Sequence, residues 1–447
     1  MLFQKKFFQV MMVAFSVTTL VSCSKNDDEE ELITPPPTTS SVLTGSITKD
    51  MTLTANQTWT LKGYVYVANG AKLTIEPGTT IVSDVSEKGA LCIERGSQLI
   101  ANGTAEKPIV FTSGKPEGSR APGDWGGVIL LGKAKTNRSS TPVIEGGLDR
   151  PYGGTDDNDN SGSLKYVRIE YAGIAAFAGS EINGLTLGGV GKGTTLENIQ
   201  VVYGNDDAFE FFGGNVNAKN LVAFATADDD FDFDFGYSGK IQFAVALRDP
   251  QFVDAGDAGN GIESDNDGSG TTASPFTHPV LSNFTFIGPN NASGTAANHN
   301  FGNRWRRATQ FEVYNSVYLG WQKGGLVLES DPTAQAYVDG TSRFKNNVVH
   351  AVVDPFKSTS AVITSAALEA KATREGNVKA ASADNVLTAP FSLTNPNLMP
   401  VVGGPAASGA DFAGLDNSFF TTTNYKGAIG ESNNWLQGWT RFPSKGQ

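Results

Sequence analysis

Two acidic segments hold the densest set of side chains that could do chemistry. Residues 206–211, Asp-Asp-Ala-Phe-Glu-Phe, are followed 22 residues later by a close copy, Asp-Asp-Asp-Phe-Asp-Phe at residues 228–233. The six acids that align between the copies are Asp206, Asp207, Glu210, Asp228, Asp229 and Asp232. If the copies stack as neighbouring strands, ~4.8 Å apart, these carboxylates repel one another and raise each other's pKa.

Three arrangements would relieve that repulsion. The first is a bound divalent cation, with calcium as the candidate because it prefers carboxylate oxygens. The second is pairing with arginines of neighbouring segments, for which the candidates are Arg168, Arg248, Arg304, Arg306 and Arg307. The third is orientation, with alternate acids turned to solvent while Phe231, Phe233 and Phe235 turn into the core.

Two loops share a spacing that is typical of the first half of a calcium loop. Each carries oxygen donors at alternate positions and then a glycine, and the donors are Asp157, Asp159 and Ser161 in one loop and Asp265, Asp267 and Ser269 in the other. The twelfth positions hold Arg168 and Phe276, so neither loop is an EF-hand. The pattern predicts a calcium site that other loops complete, and the alternative is a polar turn cluster.

A catalytic interpretation uses the same acids. A polysaccharide lyase needs calcium carboxylates with an arginine or lysine base, and a glycoside hydrolase needs carboxylates as acid and base. Asp206, Asp207, Asp228 and Asp229 with Arg248 fit either scheme loosely, and the three histidines form no metal or nucleophile motif. Fold analogy alone is a weak argument for catalysis, so a binding role is the stronger expectation.

Aromatic side chains could stack on sugars. The candidates are Trp125, Trp305, Trp321, Trp435, Trp439, Tyr152 and Tyr237. Packing between strands is the alternative for each of them and is the favoured interpretation.

The repeat also predicts the elements that position these residues. A β-rich unit of about 20 to 30 residues cannot bury its own apolar face, so it must stack on copies of itself. Asparagines recur before alternating strands, and Asn283, Asn315 and Asn347 are each 32 residues apart. Because asparagine tolerates the left-handed conformation, these positions are expected to form a structural column at a corner. The sequence therefore predicts an all-β, right-handed parallel β-helix with long loop insertions.

The expected boundaries follow from composition and punctuation. The β-helix is predicted over residues 43–357, with no convincing helix between 45 and 355. Residues 358–447 are expected to supply the last coils and an aromatic C-terminal cap over the open end, with a helix within 361–373.

The N-terminus has the pattern of an export signal. Residues 1–22 combine Lys5-Lys6 with an apolar stretch of signal-peptide length, and Leu20-Val-Ser-Cys23 has the form of a lipobox. Cys23 is therefore predicted to be acylated, and residues 23–42 to form a disordered acidic and proline-rich tether. The formal charge of -12 argues against nucleic acid as a partner.

Several segments together resemble one known family. Trp125-Gly-Gly-Val-Ile-Leu-Leu-Gly, Tyr152-Gly-Gly-Thr-Asp, residues 164–173, residues 181–191 and Asn315-Ser-Val-Tyr-Leu-Gly-Trp are similar to outer-membrane β-helix lipoproteins of Bacteroidota. The resemblance implies the fold, a lipid anchor and a surface location. It implies no established reaction or ligand.

The expected function is a surface-exposed outer-membrane lipoprotein that binds glycan or envelope partners, including outer-membrane proteins, with calcium ordering its loops. The alternatives are a calcium-assisted polysaccharide lyase or glycoside hydrolase, and a purely structural stalk. A lyase predicts a groove with arginine or lysine beside the carboxylates. A stalk predicts carboxylates that are already paired with arginines.

Overall fold

A computed structural model of the 447-residue chain describes residues 41–177 and 180–447. It contains thirty strands and two helices in these ranges. The strands are β1 Ser41–Ile47, β2 Met51–Leu53, β3 Trp59–Val67, β4 Lys72–Ile75, β5 Thr80–Ser83, β6 Leu91–Ile93, β7 Gln98–Asn102, β8 Ile109–Thr112, β9 Val128–Leu131, β10 Gly162–Glu170, β11 Ala175–Phe177, β12 Ser180–Glu181, β13 Leu185–Val190, β14 Thr195–Val202, β15 Phe209–Gly214, β16 Ala218–Phe224, β17 Phe231–Asp234, β18 Lys240–Leu247, β19 Ile262–Ser264, β20 Val280–Ile287, β21 Phe301–Trp305, β22 Glu312–Tyr314, β23 Val317–Trp321, β24 Gly324–Leu328, β25 Arg343–Lys345, β26 Val348–Ala351, β27 Phe356–Ser358, β28 Val378–Lys379, β29 Leu387–Ala389 and β30 Asn397–Pro400. The helices are α1 Asp331–Val338 and α2 Ser365–Arg374.

Twenty-six strands pair in parallel into one continuous sheet that winds into a right-handed β-helix, as the repeat predicts. The winding gives three faces. The face that we call the acidic face comprises β6, β9, β13, β15, β17, β19, β21, β24 and β27, with the C-terminal parts of β1 and β3. The second, which we call the covered face, comprises β5, β8, β23, β26 and β28 with the C-terminal halves of β10, β14, β16, β18 and β20. The third face comprises β2, β4, β7, β22 and β25 with the N-terminal halves of the same five strands.

The core is built from the inward residues of each coil, which stack on their equivalents in the next. Phe209 stacks on Phe231 with ring centroids 4.9 Å apart, and Phe211 lies beside Phe233 at 5.2 Å. Because strand side chains alternate, the residues between these phenylalanines point outward. Glu210 and Asp232 therefore lie on the outer side of the acidic face.

The predicted asparagine column is confirmed at the corner between the third and the covered face. Seven stacked residues have φ between 50° and 63°: Tyr166, Asn198, Asn220, Phe243, Asn283, Asn315 and Asn346. The sequence predicts Asn347 as the last member, but Asn346 occupies that position, because the final coil advances 31 residues rather than 32. Asn347 instead is fully buried and donates from Nδ2 to the Val313 carbonyl, 3.2 Å away.

The two helices lie near the C-terminal end of the solenoid. The predicted helix is confirmed as α2, whose Leu368 and Ala372 join the core beside Phe356. Helix α1 was missed, and the expectation of no helix before 355 is wrong. Its N-terminus has Pro332 in the first turn, where the missing N–H costs nothing, and Tyr337 anchors it in the core.

The predicted cap is wrong, because the C-terminal tail does not close the last coil. Coils continue to β28, beyond the expected boundary at 357, and the chain then runs back along the outside of the solenoid. Asn315 bonds Asp411, Gln242 bonds Thr421 and Gln200 bonds Arg441, so the tail passes successively earlier coils. The physical reason is that the covered face is apolar on its outer side too, and tail residues such as Ile429 and Trp439 bury it.

Candidate functional site

The acidic face brings together residues from coils that the chain visits in succession. In the strand register, Thr186 of β13 lies beside Glu210 of β15, Glu210 beside Asp232 of β17, and Asp232 beside Glu263 of β19. Glu263 in turn lies beside Arg304 of β21. This outward row places three carboxylates next to one another before the first cation.

A second row lies at the turn that enters the acidic face. Oδ1 of Asp207 accepts the N–H of Asp229 at 2.8 Å, and Oδ1 of Asp229 accepts the N–H of Asn260 at 2.6 Å. One oxygen of each carboxylate thus fastens the next coil. These bonds give a structural reason for aspartate at this turn, because each carboxylate accepts a backbone N–H of the next coil that would otherwise need another acceptor.

The two rows converge into three overlapping groups of carboxylates. Within each group one oxygen per residue lies within 4.8 Å of the others, and no ion is present. The groups are Asp206, Asp207 and Asp228; Asp207, Glu210 and Asp232; and Asp229, Asp232 and Glu263. Asp207 and Asp232 each belong to two groups, so the six predicted acids form one continuous cluster. The structure thus brings the six acids of the two sequence copies together.

The cluster is not turned to solvent, so the orientation hypothesis is wrong for its central members. Asp207 is 7% exposed and Asp229 is 4% exposed. Burial, followed by repulsion from Asp206 and Asp229, raises the pKa of Asp207 well above its ordinary value. Burial raises the pKa of Asp228 to about 7. Carboxylates in this environment are poised to bind protons or cations.

Among the described residues, none of the six predicted acids takes part in an ion pair. Two buried polar atoms beside them also have no hydrogen-bond partner, namely Oδ1 of Asp232 and Oγ1 of Thr186. Thr186 is 2% exposed and lies beside Glu210 in the same outward row. Because Thr186 is neutral, its unpartnered hydroxyl is a second sign of an unfilled site, separate from the repulsion among the acids. Buried polar atoms are nearly always satisfied in folded proteins, and these two require an explanation.

A family model described as "Pectate-lyase like beta helix domain" matches residues 45–440. The chain belongs to this family. No curated protein and no solved structure matches it. Membership in the pectate-lyase-like β-helix family accounts for the solenoid, and the chemistry of this member depends on its own acidic face.

Arg248 does not stand where a catalytic base of a pectate-lyase-like β-helix would be needed. It is 1% exposed, and its guanidinium bonds Oδ1 of Asp230 at 3.1 Å and the Ala227 carbonyl at 3.2 Å. Asp230 is itself fully buried. Arg248 also donates to the Asp228 carbonyl, so it lies beside the cluster as predicted, but its ion pair is with Asp230 rather than with any of the six acids.

Two acids of the cluster region were missed from the sequence. Glu263 follows a 31-residue step rather than 22, although Gly-Ile-Glu-Ser-Asp at 261–265 can be aligned with the Asp-Phe-Asp-Phe-Asp segment at 230–234. Glu145 arrives from the insertion between β9 and β10 and hydrogen-bonds Glu210 and Asn183. The insertion is held on the acidic face by Ile144 and Tyr152, which pack on the outer side of coils before and after it.

The two predicted calcium loops have other partners. Asp157 pairs with Lys135 at 2.6 Å, and buried Asp159 accepts from Ser161 at 3.2 Å. Asp265 pairs with Arg306 at 2.9 Å and Arg307 at 2.6 Å. Asp267 accepts the N–H of Ser269 at 2.9 Å. The two loops contribute no residue to the three carboxylate groups, and calcium binding by the loops stays a prediction.

The aromatic candidates are packing residues. Six of the seven are no more than 2% exposed, namely Trp125, Trp305, Trp321, Trp439, Tyr152 and Tyr237, so they offer no ring face to a sugar. The packing interpretation is confirmed for them. The predicted lipidation residue Cys23 lies outside the described residues. No helix among residues 41–177 and 180–447 is long and apolar enough to cross a membrane.

Proposed function

We propose that this protein is a binding module of the cell surface whose acidic face binds divalent cations, with calcium as the candidate. The observation that carries the proposal is the chain of three carboxylate groups in which only Glu263, at one end, pairs with arginine, while Oδ1 of Asp232 has no hydrogen-bond partner. Hard oxygen donors within 4.8 Å of one another are the donor set that calcium takes.

A bound divalent cation would relieve the repulsion among these carboxylates more fully than protonation does. Protonation of one carboxylate removes one charge, whereas a divalent cation removes two and is bound by several oxygens at once. It would also use the Thr186 hydroxyl, a neutral oxygen ligand beside Glu210. Asp207 and Asp232 each belong to two groups, so one carboxylate could serve neighbouring cations. A cation held on a face rather than in a closed cage keeps ligand positions for the oxygens of a glycan or envelope partner.

The cell-surface part of the proposal rests on the sequence. The lipobox at Cys23, the acidic residues directly after it and the proline-rich tether support an outer-membrane lipoprotein with its β-helix held away from the membrane by the tether. Protease treatment of intact cells tests the orientation, and protection of the β-helix would overturn a surface location.

A lyase is the second candidate, because the family description is pectate-lyase-like and Arg304 and Arg306 flank Glu263. A lyase base takes a proton from the carbon beside the uronate carboxylate, and the glycosidic C–O bond then breaks to leave an unsaturated sugar. Burial lowers the pKa values of both arginines, but the neighbouring acids, with Glu263 foremost, together raise them by more. Both guanidinium groups therefore stay charged and are poor bases, so binding without cleavage is the better-supported function.

The experiment is a calorimetric titration of chelator-treated protein with calcium, with thermal melting in calcium and in chelator. We expect saturable binding and a gain of ~2.7 kcal/mol in stability at a hundredfold excess over the dissociation constant. Asp232→Asn, which alters two carboxylate groups at once, should weaken binding at least tenfold. Glu197→Gln, an acid of the third face, is the matched control and should bind normally. Absence of heat and of a melting shift with calcium, magnesium and manganese would overturn the proposal.

A further inference from the structure

The insertion between β9 and β10 contains a hairpin, residues 142–152, that lies on the outer side of the acidic face. Its two arms are joined by a bond from the Ile144 N–H to the Arg150 carbonyl at 2.9 Å and by one from the Tyr152 N–H to the Pro142 carbonyl at 3.0 Å. An antiparallel bridge also links the arms at residues 143 and 151. The hairpin is therefore held together by its own backbone, with residues 145–149 as its tip.

Side chains on both arms anchor the hairpin to the solenoid. Ile144 and Leu148 are buried and pack in one apolar cluster with Ile129 of β9. Arg150 pairs with Glu94 at 2.7 Å on the side away from the carboxylate groups. These contacts keep the hairpin above the start of the outward row, where the apolar residues of the acidic face give way to the acids.

The tip of the hairpin brings one more carboxylate to the cluster, that of Glu145. Glu145 hydrogen-bonds Glu210 and Asn183, and Nδ2 of Asn183 also donates to Oε2 of Glu210. Glu181 adds a further negative charge beside Glu145. Among the described residues no cationic side chain pairs with Glu145. Two carboxyl groups in contact need a proton or a cation between them, so the docked position of the tip depends on what is bound there.

An unpartnered hydroxyl lies at the same place. Thr186 stands between Ile129 and Glu210 in the outward row, and it is buried there because the hairpin covers Ile129. Its Oγ1 has no hydrogen-bond partner, and the residue is only 2% exposed. A hydroxyl is a neutral ligand for a hard divalent cation. Thr186 therefore points to a ligand at this position independently of the number of acids around it.

We propose that the 142–152 hairpin is a cation-dependent latch. With a divalent cation bound, Glu145 joins Glu210 and the Thr186 hydroxyl as a ligand and the tip is closed. When the cation leaves, repulsion from Glu210 loosens the tip, while the apolar anchor keeps the hairpin attached, so the movement is a local opening. This regulation rests on the proposed function, because it needs a cation on the acidic face. It gives the bound cation a way to change the surface that a partner meets.

The test is hydrogen–deuterium exchange of the whole protein at pH 8, in chelator and in saturating calcium, with calorimetry on the same samples. Peptides that cover residues 145–150 report on the tip, and we expect these amides to exchange about tenfold more slowly in calcium. Glu145→Gln keeps a hydrogen-bonding group beside Glu210 without the charge. Its tip should therefore exchange slowly in chelator already, and calcium should change it little. The same variant should bind calcium about tenfold more weakly, because one charged ligand is lost.

Asp149→Asn is the matched control. Asp149 lies in the same tip with a φ of 50°, which asparagine also tolerates, and its carboxylate belongs to none of the three groups. The variant removes one charge from the hairpin without touching the cluster, so the effect of calcium on the tip and the affinity for calcium should be unaltered. Amides of β16 should exchange no faster in either variant than in the unaltered protein, which excludes misfolding as the cause.

The outcomes separate the latch from the cation site beneath it. Heat of calcium binding with equal exchange of the tip in calcium and in chelator would overturn the latch and leave the cation site standing. Absence of heat would overturn both. A full calcium effect on the tip of Glu145→Gln would overturn the role of Glu145, and so would an equal loss of that effect in Asp149→Asn.

Discussion

The acidic face contains two neighbouring groups of acids that the protein treats in opposite ways. Asp207, Glu210 and Asp229 are buried beside the half-buried Asp232, and none of these four carboxylates pairs with a cationic side chain. One coil further, Asp265 is held by Arg306 and Arg307, and Glu263 at the boundary both faces Asp232 and accepts from Arg304. The same outward rows thus run from unpaired to paired.

The difference separates a structural role from a binding role. A solenoid that needed only to hold its coils together could use the paired arrangement throughout, since the same register positions accept arginines two coils later. Burying unpaired carboxylates costs stability, and a folded protein keeps such costs mainly at functional sites. This contrast supports the proposal that the paired end belongs to the scaffold and that the unpaired end binds cations.

The largest effect is expected where a paired acid loses its partner. Arg248→Met leaves Asp230 charged and fully buried, and the loss of such a partner costs about 3–5 kcal/mol. Chemical denaturation monitored by tryptophan fluorescence measures this loss. Adding Asp230→Asn to Arg248→Met should recover part of it, because the uncompensated charge is removed.

Arg343→Met is the control for this prediction. Arg343 also pairs with an acid, Glu312 at 2.9 Å, but its side chain is 43% exposed. Solvent screens such a pair, so the expected loss is under about 1 kcal/mol. Equal small losses in the two variants would show that burial of the Arg248 pair has no energetic consequence.

The unpaired end should give the protein an unusual pH dependence. Burial raises the pKa of Asp228 from 3.8 to about 7, and the folded state therefore binds more protons than the unfolded chain between these values. The free energy of unfolding then falls as pH rises through that window. The histidines oppose this trend only below about pH 6.5, because burial lowers their pKa values.

The measurement is the melting temperature of the chelator-treated protein from pH 6.5 to pH 8, where the histidines contribute little. We expect it to fall with rising pH and to fall less in Asp232→Asn, which removes one of the repelling charges. Saturating calcium should flatten the curve. A melting temperature that rises over this interval in chelator would contradict the assignment of raised pKa values to the unpaired end.

Local sequence patterns predict the features of the acidic face that depend on residues close together in the chain, namely side-chain orientation and strand register. The alternation of Phe231 and Phe233 with Asp232 determines which side chains face the core, and the 22-residue shift stacks Glu210 on Asp232. The asparagine corner was predictable for the same reason, since each coil repeats a local backbone requirement. Repetition makes the register of a solenoid readable from its sequence.

The burial of the acids, the pairing of Arg248 and the path of the tail depend on contacts between residues far apart in the chain, so local patterns could not predict them. The burial of Asp207 depends on the surroundings of the whole face, including the insertion that carries Glu145, and nothing near Asp207 encodes that insertion's path. The pairing of Arg248 with Asp230, rather than with the six aligned acids, depends on which side of the turn each side chain leaves. The C-terminal tail packs along the apolar outer side of the covered face. An aromatic tail would have the same composition if it closed the last coil, so composition alone could not predict which surface it covers.

The smallest effect is expected at the loop that the sequence analysis assigned to calcium. Asp157→Ala removes a pair with Lys135 whose two side chains are 35% and 54% exposed, so the cost in stability should be under about 1 kcal/mol. Because Asp157 belongs to none of the three carboxylate groups, stabilisation by calcium should persist in full in this variant and be reduced in Asp232→Asn. Melting curves of both variants with and without calcium decide between the sites. The reverse result, with calcium stabilisation lost in Asp157→Ala and kept in Asp232→Asn, would move the cation from the unpaired end of the acidic face to the loop, where the Lys135 pair would have to open to admit it.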